Sequence, residues 1–170
     1  MSGAFTLSPW GKHDQHGVIA LISGIQRGEF GLSITPEDQP DLMDVPGFYQ
    51  HGAGQFWVAR AQQDAHAEQS AVIGCIALLD IGNGQAALRK MFVEKKWRGA
   101  GRGVAAALLC ALLEHAAGCG LREVFLGTTT RFLAAHRFYE KSGFTRIEKQ
   151  DLPPSFPVMA VDTVFYRLAL

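Results

Sequence analysis

Between Ala86 and Thr129 the chain passes through a strand pattern, "AALRKMFV", and a glycine-rich stretch, "RGAGRG". A long apolar helix pattern, "VAAALLCALLEHAAG", and a second strand pattern, "EVFLGTT", follow. Two strands joined through one helix sit in a sheet as parallel neighbours, connected by a right-handed crossover. This is the one place in the chain where parallel pairing is forced, and the rest of the fold must be built around it.

Upstream, "AFTLSPW" reads as a first strand closed by Pro9. Val18, Leu21, Ile22 and Ile25 recur at helical spacing and predict a helix from about Asp14 to Arg27. A second short helix is expected to start at Thr35, with Pro36 as its first residue and Glu37 and Asp38 in its first turn. "FWVAR" and "AVIGCIALLDI" read as strands joined through the polar "AQQDAHAEQS". Asn83-Gly84 tolerates positive φ and predicts a tight hairpin into "AALRKMFV". The long helix should stop at Gly118 or Gly120. "FLAAHRFYEKSG" is a further helix with Gly143 just past its end and Phe144 packing back. "TRIEK" and "TVFYRLAL" are the last strands, on either side of the proline-rich "QDLPPSFPVMAVD". No repeat or linker divides the chain, so residues 1–170 read as one domain of α/β (α+β) class.

Sixteen Lys and Arg balance sixteen Asp and Glu, for a formal net charge of zero. That argues against a nucleic-acid binder or a membrane-surface binder. The longest apolar run, Val104 to Leu113, is too short to span a bilayer. The N-terminal residues lack a signal-peptide pattern, so the expected location is cytoplasmic. Cys75, Cys110 and Cys119 have no C-x-x-C spacing and read as reduced thiols. His13 and His16 have no further ligands clustered with them, so no metal is expected. The apolar C-terminal "FYRLAL" fits a homodimer contact or a core strand.

A loop between a strand end and a helix start presents unpaired backbone N–H groups, and the helix dipole adds partial positive charge there. Glycines let that backbone approach a phosphate closely. Lys95, Lys96, Arg98 and Arg102 add cations. Two readings stand at this point: a phosphate cradle, or a glycine-rich turn with solvated charges. The P-loop pattern is absent. Gly101-x-Gly103-x-x-Ala106 matches a dinucleotide pattern on paper. However, "EKKWR" separates it from its strand, and the next strand ends in threonines where an acid should hold the ribose.

Arg98-x-x-Gly101-x-Gly103, opening a helix after a strand, resembles the acyl-CoA signature Q/R-x-x-G-x-G/A of the GNAT superfamily of N-acetyltransferases. "AHRFYEKSGF" resembles the same family's A-x-x-x-Y helix closing on Gly-Phe, and the element order agrees over nearly the whole chain. The resemblance implies a mixed, mostly antiparallel sheet of about seven strands with a splayed parallel pair and about four helices. It implies acetyl-CoA in the splay, its pantetheine arm against the backbone of Met91, Phe92 and Val93. Its pyrophosphate would lie on the amides of Gly99, Ala100, Gly101, Arg102, Gly103 and Val104, with Arg98 and Arg102 beside it. It also implies that Tyr139 is the general acid toward the CoA sulfur when an amine attacks the thioester.

Two positions depart from the family pattern. The glutamate that many members use as general base falls on Ala87, and an asparagine near the pantetheine falls on Phe132. Candidate replacement bases are Glu29, Asp80, Glu94 and His136, with Glu29 placed first because the family's acceptor site is built partly from the first two helices. Proton loss to water alone is the other route. The acceptor groove implied by the resemblance spans about Glu29 to Gln55 and Gln150 to Asp162. Its Glu37, Asp38, Asp41, Asp44, Asp151 and Asp162 either attract a cationic amine or serve as caps. The expected activity is acetyl transfer to a primary amine; the alternative is a catalytically degenerate acyl-CoA-binding module.

Overall fold

The computed structural model describes residues 4–62, 71–99, 101–130 and 133–170. Its seven strands form one sheet in the order β1-β2-β3-β4-β5-β7-β6. They are β1 (Phe5–Pro9), β2 (Gln55–Ala61), β3 (Val72–Gly82), β4 (Gln85–Val93), β5 (Glu123–Thr128), β6 (Thr145–Ile147) and β7 (Val164–Ala169). Every neighbouring pair is antiparallel except β4 and β5, the crossover pair. Four helices flank the sheet: α1 (Gln15–Ser23), α2 (Val45–Phe48), α3 (Val104–Gly118) and α4 (Leu133–Lys141). The fold class expected from the sequence is therefore observed. Most of the β2–β3 connection, Ala100 and Phe132 lie outside the described residues.

Local chemistry sets the element ends. Asn83 and Gly84 take φ of 57° and 72°, as a two-residue hairpin turn requires. Gly143 takes φ of 98°, and the Phe144 N–H donates to the Tyr139 carbonyl at 3.0 Å, closing α4 with a Schellman bond. Two expectations need correction. Regular α geometry in the first helix stops at Ser23, and Gly24–Glu29 continues as a π turn. The second helix begins at Thr35 as a single 3-10 turn, Pro36–Asp38, followed by another at Pro40–Leu42 before α2. Pro40 and Pro46 cannot donate to a continuous ladder, which breaks that helix into pieces.

The sheet separates two cores. On one face Ile76, Leu78, Leu88, Val124 and Leu126 pack with Leu108 and Leu112 of α3. On the other, Val58, Cys75 and Ala77 meet Val18 and Ile22 of α1, with Val45 and Tyr49. Strand alternation sends neighbours Cys75 and Ile76 to opposite sides. β7 is an internal strand with Val164, Phe165 and Tyr166 buried, so core packing accounts for the apolar C-terminal stretch. Among the described residues no helix is long and apolar enough to cross a membrane.

Cys75 carries a pH consequence. Burial pushes its thiol up to about 12 from 9.0, and its Sγ–H donates to the Lys90 carbonyl at 3.2 Å. The unfolded thiol ionises first, so this contribution to stability is complete below pH ~9 and is lost as pH rises toward the native value. From this group the unfolding free energy should fall by up to about 1.4 kcal/mol per pH unit. Urea unfolding of wild type and Cys75→Ala at several pH values between 8 and 11 checks it. The variant's decline should be shallower, and parallel declines would exclude the thiol.

Candidate active site

The parallel pair opens after three residues. Gln85, Ala86 and Ala87 of β4 pair with Glu123, Val124 and Phe125 of β5, and the register then ends. From Leu88 to Val93 β4 stays paired with β3 alone, so its other edge faces a gap. The β3 ladder is itself irregular. Cys75 opposes Phe92 and Ala77 opposes Arg89, so β4 takes three steps where β3 takes two. That is a β-bulge, and Lys90 within it adopts φ of 55°. Met91 and Val93 pack with the α3-side core, and Phe92 with the α1 side. The Val93 carbonyl already accepts from Arg98 Nε at 2.7 Å.

The glycine loop ends at α3. Gly103 is the helix N-cap in the left-handed region, φ 75°, and Gly99 has φ of 102°, so backbone geometry demands both glycines. Gly101 has no positive φ, and a Cβ there would meet nothing within 4 Å. Packing within the described residues does not explain it. Among the described residues no side chain caps α3, and no acid lies in its first turn. Its first N–H groups, Val104 onward, are therefore free for an anion. The Arg102 guanidinium lies 5.7 Å from the Trp97 ring centroid. This arrangement fits a pyrophosphate.

Tyr139 is buried in the core cluster that also contains Val93 and Val104, with Met91 packed against it. Its ring meets Phe144 at 5.5 Å, Phe138 at 5.6 Å and Tyr166 at 6.2 Å. Burial raises its pKa above the ordinary 10.0. Among the described residues its hydroxyl has no hydrogen-bond partner.

The candidate bases are mostly occupied. Ala87 is fully buried, in an apolar cluster with Phe125, Phe156 and Phe165. Both Glu29 oxygens accept from Arg98, at 2.7 and 2.8 Å. The structure thus joins two residues expected to act separately: Glu29 fixes Arg98, and Arg98 ties the π turn to the end of β4. A carboxylate with both oxygens so committed is better placed for positioning than for accepting the amine's proton. Asp80 accepts from the Ala53 and Gly82 N–H groups, which hold its carboxyl below the usual range. Glu94 lies 3.5 Å from Lys96. His136 Nε2 donates to the Thr129 carbonyl at 2.7 Å.

The acids of the expected acceptor groove are chiefly caps. Asp38 accepts from Thr35, Asp44 from Gly47, Asp151 from Glu148 and Asp162 from Met159. Asp41 is buried. It accepts from Tyr49 Oη at 2.5 Å and lies 3.3 Å from Lys90 Nζ. Lys90 also donates to Gln39 at 2.6 Å, and Gln39 to Gln26 at 2.9 Å. Sequence reasoning missed this network. Its signal was "LRKM", two adjacent charges inside an apolar strand, which strict alternation cannot place on one face without a bulge.

Residues 22–144 match the acetyltransferase (GNAT) family model. A solved acetyltransferase of the GNAT family from Staphylococcus aureus superposes with a TM-score of 0.88 at 32% identity, covering 98% of this chain and 99% of that one. An acetyltransferase from Streptococcus agalactiae gives 0.87 at 27% identity over 98% of both chains. The zebrafish (Danio rerio) protein named N-acetylaspartate synthetase is 31% identical over 132 residues, 75% of this chain. This chain spans 44% of that relative's length. The family match covers most of the sequence, including the glycine loop and Tyr139, and the chain belongs to the GNAT family of acetyltransferases.

Proposed function

We propose that the chain transfers an acetyl group from acetyl-CoA to a primary amine by direct attack. The observation that carries this is the β4–β5 gap, which opens beside an uncapped, glycine-led α3 N-terminus, with Tyr139 in the core cluster of that face. The backbone of Met91, Phe92 and Val93 would line the thioester arm. The loop from Gly99 to Val104 would receive the pyrophosphate, with Arg102 and the Glu29-anchored Arg98 beside it. The amine nitrogen bonds to the thioester carbonyl carbon, and the carbon–sulfur bond breaks. The departing thiolate takes the Tyr139 proton, the amine's surplus proton leaves to water, and the phenolate regains a proton from water before the next turnover.

Isothermal titration with acetyl-CoA and a thiol-release assay over a panel of amines test this reading. Micromolar binding with turnover of at least one amine supports it; absence of binding at high micromolar concentration overturns it. The apolar surroundings of Ala87 favour a second reading, an acyl-CoA-binding module without catalysis. Binding without thiol release for every amine would select it.

A further inference from the structure

Among the described residues Arg89 makes no ion pair with a carboxylate. On β4 it stands opposite Ala77, one same-face step beyond Ala87 toward the opened part of the strand. Its Cζ lies 5.9 Å from the ring centroid of Tyr49, next to α2, and Nη2 donates to Met159 Sδ at 3.2 Å. The side chain therefore sits between the end of α2 and the β6–β7 connection, the two walls of the acceptor groove. Among the described residues no carboxylate lies within 4.0 Å of it. A ring face and a thioether are weak partners for a group with five N–H donors.

The local charge is unbalanced as well. Arg89 and Lys90 are adjacent, and Arg89 is one of the charges lowering the pKa of Lys90. The single buried acid there, Asp41, is already engaged by Lys90 and Tyr49. Asp162 takes the Met159 N–H, and burial raises its pKa against the field of Arg89. Phe48, Val158, Met159 and Val161 expose apolar side chains on the same two wall segments. An anion brought here would satisfy Arg89, because the acids around it, Asp41 and Asp162, are engaged by Lys90 and Tyr49 and by the Met159 N–H.

We propose that Arg89 receives a carboxylate of the acceptor, so that the substrate class is an amine that also bears a carboxylate, an amino acid. This rests on the acetyltransferase reading and adds its acceptor. Of the two readings left open for the groove's acids, attraction of a cationic amine or capping, four of the acids fit capping, and Arg89 adds a positive charge to the same walls. A carboxylate held on Arg89 keeps the acceptor on the part of β4 that lies past its last pairing with β5, at the edge of the gap.

The test compares each amino acid with its own primary amide, at saturating acetyl-CoA, by thiol release. The amide has the less basic amine and more free lone pair, so intrinsic chemistry favours it. The wild-type enzyme should nonetheless prefer the acid by about tenfold or more in kcat/KM, the size of one charge-assisted recognition pair. Arg89→Gln should bring that ratio to about one, chiefly through KM, and Arg89→Lys should keep part of it. Acetyl-CoA affinity, measured by titration, should stay within about twofold in both variants, which also reports that they fold. A wild-type ratio near one, or a preference that survives Arg89→Gln, overturns the inference while the acetyltransferase reading stands. Absence of acetyl-CoA binding and of all turnover overturns both.

Discussion

Tyr139→Phe should lower kcat by about 100-fold or more while leaving acetyl-CoA affinity within about twofold. The substitution removes one oxygen and keeps the ring. The contacts to Phe138, Phe144 and Tyr166 are all ring contacts, so packing is preserved. The hydroxyl has no partner among the described residues, so its loss strands no buried donor or acceptor. The melting temperature should therefore stay within about 2 °C, corresponding to a change below about 1 kcal/mol. Burial keeps the phenol protonated beyond its ordinary pKa of 10.0, so it remains a competent donor at neutral and mildly alkaline pH. Wild-type kcat should accordingly show no loss attributable to Tyr139 between about pH 7 and 9. Steady-state kinetics with titration of acetyl-CoA separates the two effects. An unchanged kcat would remove Tyr139 from the chemistry and leave it as a core residue.

The fold was legible where local chemistry and tertiary demand agree. The crossover unit, the Asn83-Gly84 hairpin and the Gly143 stop each follow from a backbone requirement that few residues meet, and each appears where the sequence puts it. The glycine loop was legible for the same reason, since positive φ at Gly99 and Gly103 is a local property. What stayed hidden depended on distant partners. Nothing around Glu29 in the chain announces that Arg98, 69 residues away, takes both of its oxygens. The acids of the two expected groove segments looked alike in sequence. Four are caps satisfied within three residues, whereas Asp41 is buried against Lys90 from β4. The π turn brings Gln26 into that network and follows no propensity rule applied to the first helix.

Lys90→Met should destabilise the fold by about 3–5 kcal/mol, the loss expected when one member of a buried ion pair is removed. The Lys90 and Asp41 side chains are 8% and 6% exposed, so solvent screens the pair little. Methionine fills much the same volume but leaves Asp41 with the Tyr49 hydroxyl alone and strips Gln39 of a 2.6 Å donor. The bulge conformation at Lys90 adds to the demand. A left-handed φ costs a non-glycine residue roughly 1–2 kcal/mol, and the interactions of the ammonium offset it. Lys90→Gly relieves that φ but also removes the buried side chain that methionine would replace, so it should be at least as damaging as Lys90→Met. Lys90→Met combined with Asp41→Asn should recover part of the loss, because no uncompensated charge then remains. The exposed Lys96 near Glu94 is the control, and Lys96→Met should cost under about 1 kcal/mol. Urea unfolding of the five proteins decides the matter. A Lys90→Met loss no larger than that of Lys96→Met would mean that the buried pair contributes nothing, and that the bulge is held by the β3–β4 ladder alone.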